Sequence, residues 1–296
     1  MTSFDSLRAR LGELVRTRRS GPAPAAAQDA EAQAPPAPRR RIRATRVGGE
    51  VNEVGVEAFL PGGEWRHEKH GAVYVHERLR SNIERPRPHW GHLPEPTPGE
   101  AELVALRSLG LERVLFLDLE TCGLAGSPVF LAGTMYWNGA DFVVHQYFAR
   151  HYGEEAGLLA GVAERMRSFD VMVTFNGKSF DAPYLVSRAL THGVALTLPR
   201  HHVDLLHHAR RRWKDELPDC RLTTLELRVC RRRRSGDVPG DEVPGLYHDF
   251  VRQGDAWRLV PVFHHNLLDV ITMADILHAL CKPPRTSVLT PPEERS

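Results

Sequence analysis

The stretch VLFLDLETCGL, Val114 to Leu124, ends an apolar run in two carboxylates, Asp118 and Glu120, one residue apart. On a strand, residues i and i+2 project from one face, so the two groups converge on one point. Like charges at the end of a buried strand repel and resist desolvation, and a bound divalent cation offsets both costs. The bland alternative is that Asp118 caps the strand and Glu120 faces water. A second stretch, VTFNGKSFDAPYL from Val173 to Leu185, supplies Asp181 in the first turn of a helix, where a carboxylate also suits the helix dipole. Asn176 and Gly177 form the turn ahead of it. A third stretch, VFHHNLLDVITMADIL from Val262 to Leu277, sets Asp269 into an amphipathic helix. Four positions before it, His265 lies roughly 40° away on the same face, whereas His264 would lie about 140° away in a regular helix.

These residues need a scaffold, and the pattern around them is α/β. Strands are expected at Arg113 to Asp118, Val129 to Trp137 and Asp141 to Ala149, with Asn138-Gly139 as the hairpin signal joining the last two. A helix from Glu154 to Phe169 and a buried strand from Val171 to Phe175 follow. Helices are then expected near Phe180 to His192, Val203 to Trp213, Leu222 to Cys230, Leu246 to Gln253 and Asn266 to Leu280. Three strands in meander order, a helix and another strand is the order of a ribonuclease-H-like mixed sheet flanked by helices.

Upstream, residues 4 to 18 carry apolar positions at helical spacing, so 1–19 reads as a short amphipathic helix. The Ala/Pro-rich stretch to Pro38 and the basic run RRRIRATR make 20–47 a disordered linker, because little there can offset the entropy of ordering. The basic run could touch nucleic acid or form a solvated arm. Residues 48–99 read as a small β-rich lead-in with a Pro-rich connector, 100–282 as the main domain and 283–296 as a disordered tail. With 42% hydrophobic residues and a net charge of +2, the chain can bury a core, and net charge decides nothing about partners. The four cysteines form no C-x-x-C pair, which argues against a zinc ribbon and a disulfide framework. No apolar run is long enough to span a membrane, and the charged N-terminus lacks the apolar stretch of a secretory signal, so a cytoplasmic protein is expected.

The three acidic stretches together resemble the DEDD, or DnaQ-like, 3′–5′ exonuclease superfamily, in order as well as content. Asp118-x-Glu120 matches its first motif, Asn176 and Asp181 its second, and a His followed by Asp269 its third. VFLAGTMYW, FNGKSFDAPYL, VDLLHHARRRW, CRLTTLE, DVPGDEVPGLYHDF and HHNLLDVITMADIL narrow the resemblance to the YprB-like ribonuclease-H-like proteins, over roughly Leu111 to Leu280. The resemblance implies that Asp118, Glu120, Asp181 and Asp269 bind two ions, Mg²⁺ or Mn²⁺, and that a His upstream of the last acid is the general base. His264 matches the five-residue spacing of the His-type subgroup and is favoured on that ground; His265 stands where other subgroups place Tyr. Asn176, Lys178, Thr121 and Arg231 are the expected substrate contacts, and Asp204 is expected near the site without being a ligand.

Such a set suits phosphodiester hydrolysis, which must activate a water, neutralise charge on the phosphate and stabilise the departing oxygen. Two hard cations about 3.5 to 4 Å apart serve all three needs, and carboxylates with a near-neutral His are the side chains that chemistry requires. Between Arg210 and Arg234, ten Arg or Lys residues face four acids, an excess that could draw the phosphate backbone of a nucleic acid or simply form a solvated face. Trp213 and Tyr184 could stack on bases, although each is more often core. The four His of HHVDLLHHARRRWK suggest a transition-metal site, but no closed ligand set is apparent. The expected activity is removal of nucleotides from the 3′ end of a single-stranded or frayed nucleic acid. Structure-specific endonuclease action and a binding or scaffold module without turnover are the rivals, and nothing in the sequence names a protein partner.

Overall fold

The computed structural model describes residues 55–96, 100–123 and 126–282. The expected helix at 1–19, the linker at 20–47 and the tail at 283–296 lie outside them. Seven strands form one mixed sheet: β1 (Gly63–His67), β2 (Gly71–Leu79), β3 (Val114–Thr121), β4 (Val129–Trp137), β5 (Phe142–Phe148), β6 (Val171–Thr174) and β7 (His201–Asp204). Their spatial order is β1-β2-β5-β4-β3-β6-β7, antiparallel from β1 through β3 and parallel from β3 through β7. The β4–β5 hairpin turns where the sequence predicts: Gly139 has φ +95°, and Asn138 Oδ1 accepts from the amides of Ala140 and Asp141 at 2.9 and 2.8 Å.

Seven helices flank the sheet among the described residues: α1 (Ala101–Leu109), α2 (Glu155–Met166), α3 (Asp181–Thr191), α4 (Leu205–Trp213), α5 (Leu222–Arg228), α6 (Val243–Gln253) and α7 (Val260–Leu280). Strand alternation decides what each sheet face carries. Leu115, Leu117 and Leu119 of β3 pack on the side of Leu158, Leu159 and Val162 of α2, whereas Val114 and Phe116 pack on the side of Leu267, Val270 and Ile271 of α7. Asp118 and Glu120 continue this second set, so the pleat directs both carboxylates to the α7 face. Helix α7 is apolar nearly all round because it runs between the sheet and α4 and α5. It is 21 residues long, yet among the described residues no helix is long and apolar enough to cross a membrane.

Several boundaries differ from the sequence reading, and two of them bear on the site. The segment expected to be helical from Val203 instead forms β7 over His201–Asp204, paired in parallel with β6, and the helix starts at Leu205. Asp204 is the cap, accepting from the Leu206 amide at 3.0 Å, and a four-residue strand beginning with two His leaves too little periodicity to recognise. Helix α7 begins at Val260 instead of Asn266, with Pro261 in its first turn where a missing amide costs nothing. The cysteines are free thiols, as their spacing implies.

Candidate active site

Strand β6 is short, and its pairing with β3 covers only Val114 to Phe116. Beyond it the Leu119 amide faces a gap in the sheet, which Asp181 fills by accepting from Leu119 N at 3.1 Å through Oδ1. That bond draws the N-terminus of α3 onto the end of β3. The turn delivering Asp181 is fixed from below by Asp204, 1% exposed, whose two carboxylate oxygens accept from Asn176 N at 2.8 Å and Lys178 N at 3.0 Å. Asn176 takes φ +65°, and a Cβ on Gly177 would stand 2.3 Å from Thr174 Oγ1, so this turn has room for no side chain there.

Helix α7 brings Asp269, His265 and Asn266 to the same place. Asn266 is fully buried and donates from Nδ2 to Asp118 Oδ2 at 2.8 Å, while its Oδ1 accepts from Gln146 Nε2 at 3.0 Å. The close approach depends on Gly133, which pairs with Asp118 across β3 and β4 and whose Cβ, were there one, would lie 2.2 Å from Asn266 Oδ1. The four acids feel one another. Burial first, then the charges of Asp269, Glu120 and Asp181, push the Asp118 carboxyl well above the usual carboxylate range. Burial followed by Asp269 and Asp181 does the same to Glu120. Burial raises Asp181 to about 7 despite the backbone hydrogen bonds it accepts, and burial also raises Asp269 although Arg234 and His265 oppose it.

The His pair divides. Both residues lie within α7, and His265 turns toward the acids: its Nδ1 stands 2.8 Å from Asp237 Oδ1 and its Nε2 3.5 Å from Asp269 Oδ2. Burial alone would lower its pKa, but the Asp237 hydrogen bond and the charges of Asp269, Asp237 and Asp118 outweigh it and raise it. His264 is made less basic by burial. Asp237, Arg234 and Asn266 have no role of their own in the sequence reading, although the first falls in its DVPGDEVPGLYHDF motif and the second in its arginine run. Those two sit in the loop between α5 and α6, where no periodicity announces them. Arg234 donates from Nε to Glu226, from Nη1 to Asp237 at 3.1 Å and from Nη2 to Asp269.

The expected substrate contacts are dispersed around this centre. Thr121 Oγ1 donates to the Gly123 carbonyl at 3.0 Å, just past a register shift that ends β3. Lys178 Nζ pairs with Glu102 Oε1 at 2.9 Å, Tyr184 donates to the Ser127 carbonyl at 2.6 Å, and Trp213 is buried in the core. Arg231 is exposed with φ +54°. The His-rich segment forms no cluster: His208 lies between Glu100 and Glu102 at 2.8 and 2.9 Å, and His202 stands 2.8 Å from Thr174 Oγ1. A groove of about 590 Å³ lined by Trp65, Glu77, His145 and Arg165 lies on the α2 face, across the sheet from the carboxylates.

As placed, no three His, Cys, Asp or Glu side chains among the described residues stand in ligating positions. Asp181 is turned to Leu119, Asp118 to Asn266 and Asp269 to Arg234. The chemistry of the set nevertheless fits a hard cation: four carboxylates, mutually repelling and partly desolvated, compensated by one guanidinium and one imidazole.

The sheet order and this site define an α/β protein of ribonuclease-H-like architecture, and the chain belongs to the RNase_H superfamily, whose family model RNase_H_2 matches residues 115–281. It is similar to the uncharacterized protein YprB of Bacillus subtilis, 32% identical over 183 residues that make up 60% of this chain and 44% of that protein. A DNA polymerase of Methanocaldococcus jannaschii is 24% identical over 134 residues, 44% of this chain and 8% of the polymerase. The structure of the family B DNA polymerase from Pyrobaculum calidifontis aligns with a TM-score of 0.46 at 22% identity, over 56% of this chain and 24% of its own. The chain therefore spans less than half the length of the curated relatives it matches.

Proposed function

We propose that this protein is a divalent-metal-dependent exonuclease that hydrolyses phosphodiester bonds at the 3′ end of single-stranded or frayed nucleic acid. What supports the reading is the convergence of three elements at the end of β3: Asp181 accepts from Leu119 N between Asp118 and Glu120, Asn266 of α7 donates to Asp118, and His265 of the same helix stands 3.5 Å from Asp269. These four carboxylates would hold two Mg²⁺ or Mn²⁺ ions, which supply charge neutralisation at the scissile phosphate and at the departing oxygen. His265, and not His264, is the general base. With Nδ1 donating to Asp237, its Nε2 faces Asp269 Oδ2 at 3.5 Å on the side of the acids, where in the neutral ring it accepts a proton from the attacking water. Asp237 fixes that tautomer and ring orientation, and Asn266 holds the Asp118 carboxylate in one rotamer.

The test is incubation of end-labelled DNA and RNA oligonucleotides with the full chain and Mn²⁺. Stepwise release of mononucleotides from the 3′ end, lost in Asp118→Ala, is the expected result. Intact hydrolysis in that variant, or cutting of a circular single strand, removes the exonuclease assignment.

A further inference from the structure

Arg234 is placed unlike the other arginines of its run. In Arg231-Arg232-Arg233-Arg234 the side chains alternate, with Arg231 and Arg233 exposed and Arg232 and Arg234 turned inward. Arg232 closes a structural cluster with Glu84 and Asp275 at 2.9 and 2.8 Å. Arg234 instead spends one guanidinium nitrogen on each of three carboxylates, and these differ in standing. Glu226, 1% exposed and itself held by Thr272 Oγ1 at 3.1 Å, is a permanent anchor for Nε. Asp237 and Asp269, which take Nη1 and Nη2, both belong to the candidate active site. The guanidinium edge that a phosphate would bind in bidentate fashion is thus the edge now occupied by site carboxylates.

Resting on the nuclease reading, we propose that Arg234 is an exchangeable cation of the carboxylate cluster: it holds Asp269 until a divalent ion takes that carboxylate, and the guanidinium edge so released binds a phosphate of the nucleic-acid strand. The two positive charges cannot share Asp269 without repelling, so ion and guanidinium compete as long as no strand is bound. Once the strand is present they no longer compete, because each has its own anionic partner. Glu226 keeps Nε in place throughout, so the arginine swivels without leaving.

The experiment compares the full wild-type chain, stripped of metal, with Arg234→Gln and Arg234→Lys. Mn²⁺ binding without nucleic acid is followed by the electron paramagnetic resonance of the free ion, and binding of a fluorescent phosphorothioate oligonucleotide by anisotropy with and without Mn²⁺. Arg234→Gln is expected to bind Mn²⁺ about fivefold or more tighter, and to bind the oligonucleotide about fivefold or more weaker when Mn²⁺ is present. Without Mn²⁺ its oligonucleotide affinity should stay within about twofold of wild type. Arg234→Lys, which keeps the charge and loses the planar edge, should match wild type in Mn²⁺ affinity and lose oligonucleotide affinity with Mn²⁺; it carries the test alone if the Gln variant does not fold. Unchanged or weaker Mn²⁺ binding in Arg234→Gln, or oligonucleotide binding in Arg234→Lys that equals wild type, overturns the proposal. If no chain binds Mn²⁺, wild type included, the nuclease reading falls and this inference with it; if wild type binds Mn²⁺ and Arg234→Gln binds it equally, this inference alone falls.

Discussion

His265 and His264 are neighbours in sequence with opposite surroundings, and that difference separates their expected mutants. His265→Ala removes the proposed general base and should lower the hydrolysis rate by about a hundredfold or more, whereas His264→Ala should stay within a few-fold. Asp237→Asn, which removes the carboxylate bonded to His265 Nδ1, should cost about ten- to hundredfold. Steady-state rates on a labelled oligonucleotide check all three; a His264 variant as impaired as the His265 variant would reverse the assignment. That Asp118 and Glu120 share one strand face, and that His265 lies on the face of Asp269, follows from the sequence because a two-residue step on a strand and a four-residue step on a helix are geometric rules; that all four acids form one set came only with the family resemblance. Asp237 and Arg234 are not legible in this way, since a loop residue has no period, and only the packing of α5 against α7 shows what they face.

At the scale of elements, the turn between β6 and α3 matters most, because Asp181 is aimed by that turn and not by its helix. Gly177→Ala pushes a methyl into Thr174 and should destabilise the protein by about 1 to 3 kcal/mol, with activity falling as Asp181 shifts. Urea denaturation and the nuclease assay on one preparation would show whether the two losses go together. Asn-Gly marks this turn in the sequence, but nothing there signals that Asp204 holds it from a neighbouring strand, for β7 is too short to advertise itself.

Two further elements carry an acid sensitivity. His76 of β2 and His278 of α7 are both pushed down to about 4 from 6.5, chiefly by burial. His76 Nδ1 donates to the Pro61 carbonyl at 2.6 Å, while its Nε2 is buried without a partner, so a second proton there has nothing to receive it. A folded-state pKa below the unfolded one favours the neutral ring in the fold. The resulting stability is present above pH 6.5 and is lost as the pH falls toward 4, by up to about 3 kcal/mol for His76 and by less for the more solvated His278. The four site carboxylates, whose folded-state pKa values are raised, work in the opposite sense across that window, so the check is the difference between chains: the unfolding free energy of His76→Gln or His278→Gln, relative to wild type, should rise as the pH falls from 6.5 to 4.

For the whole molecule, a buried ionic cluster ties α7 to the segment following β2. Arg80 is fully buried, donates to Asp275 Oδ1 at 2.8 Å and to Glu84 Oε1 at 2.7 Å, and lies 4.2 Å from the centre of the Trp90 ring. Asp275→Ala strands that guanidinium and should cost about 3 to 5 kcal/mol, measured by urea denaturation; a loss under 1 kcal/mol would mean that Glu84 alone suffices as counter-charge. The cluster joins regions almost two hundred positions apart, and no local pattern announces it. The order of β3 to β6 and of the helices from α2 onward, by contrast, is readable because each element's apolar period reports its own burial, whereas the short β7 and α1 go unread.

Helix α7 is the last described element in the chain, and it alone brings Asp269, His265 and Asn266 to the end of β3. During synthesis, therefore, Asp118 and Glu120 leave the ribosome long before their counterparts do. A chain that ends before α7 carries three of the four proposed ligands, Asp118, Glu120 and Asp181, and lacks both Asp269 and the proposed general base. Under the proposed function, hydrolysis would wait until the last described helix has docked on the sheet.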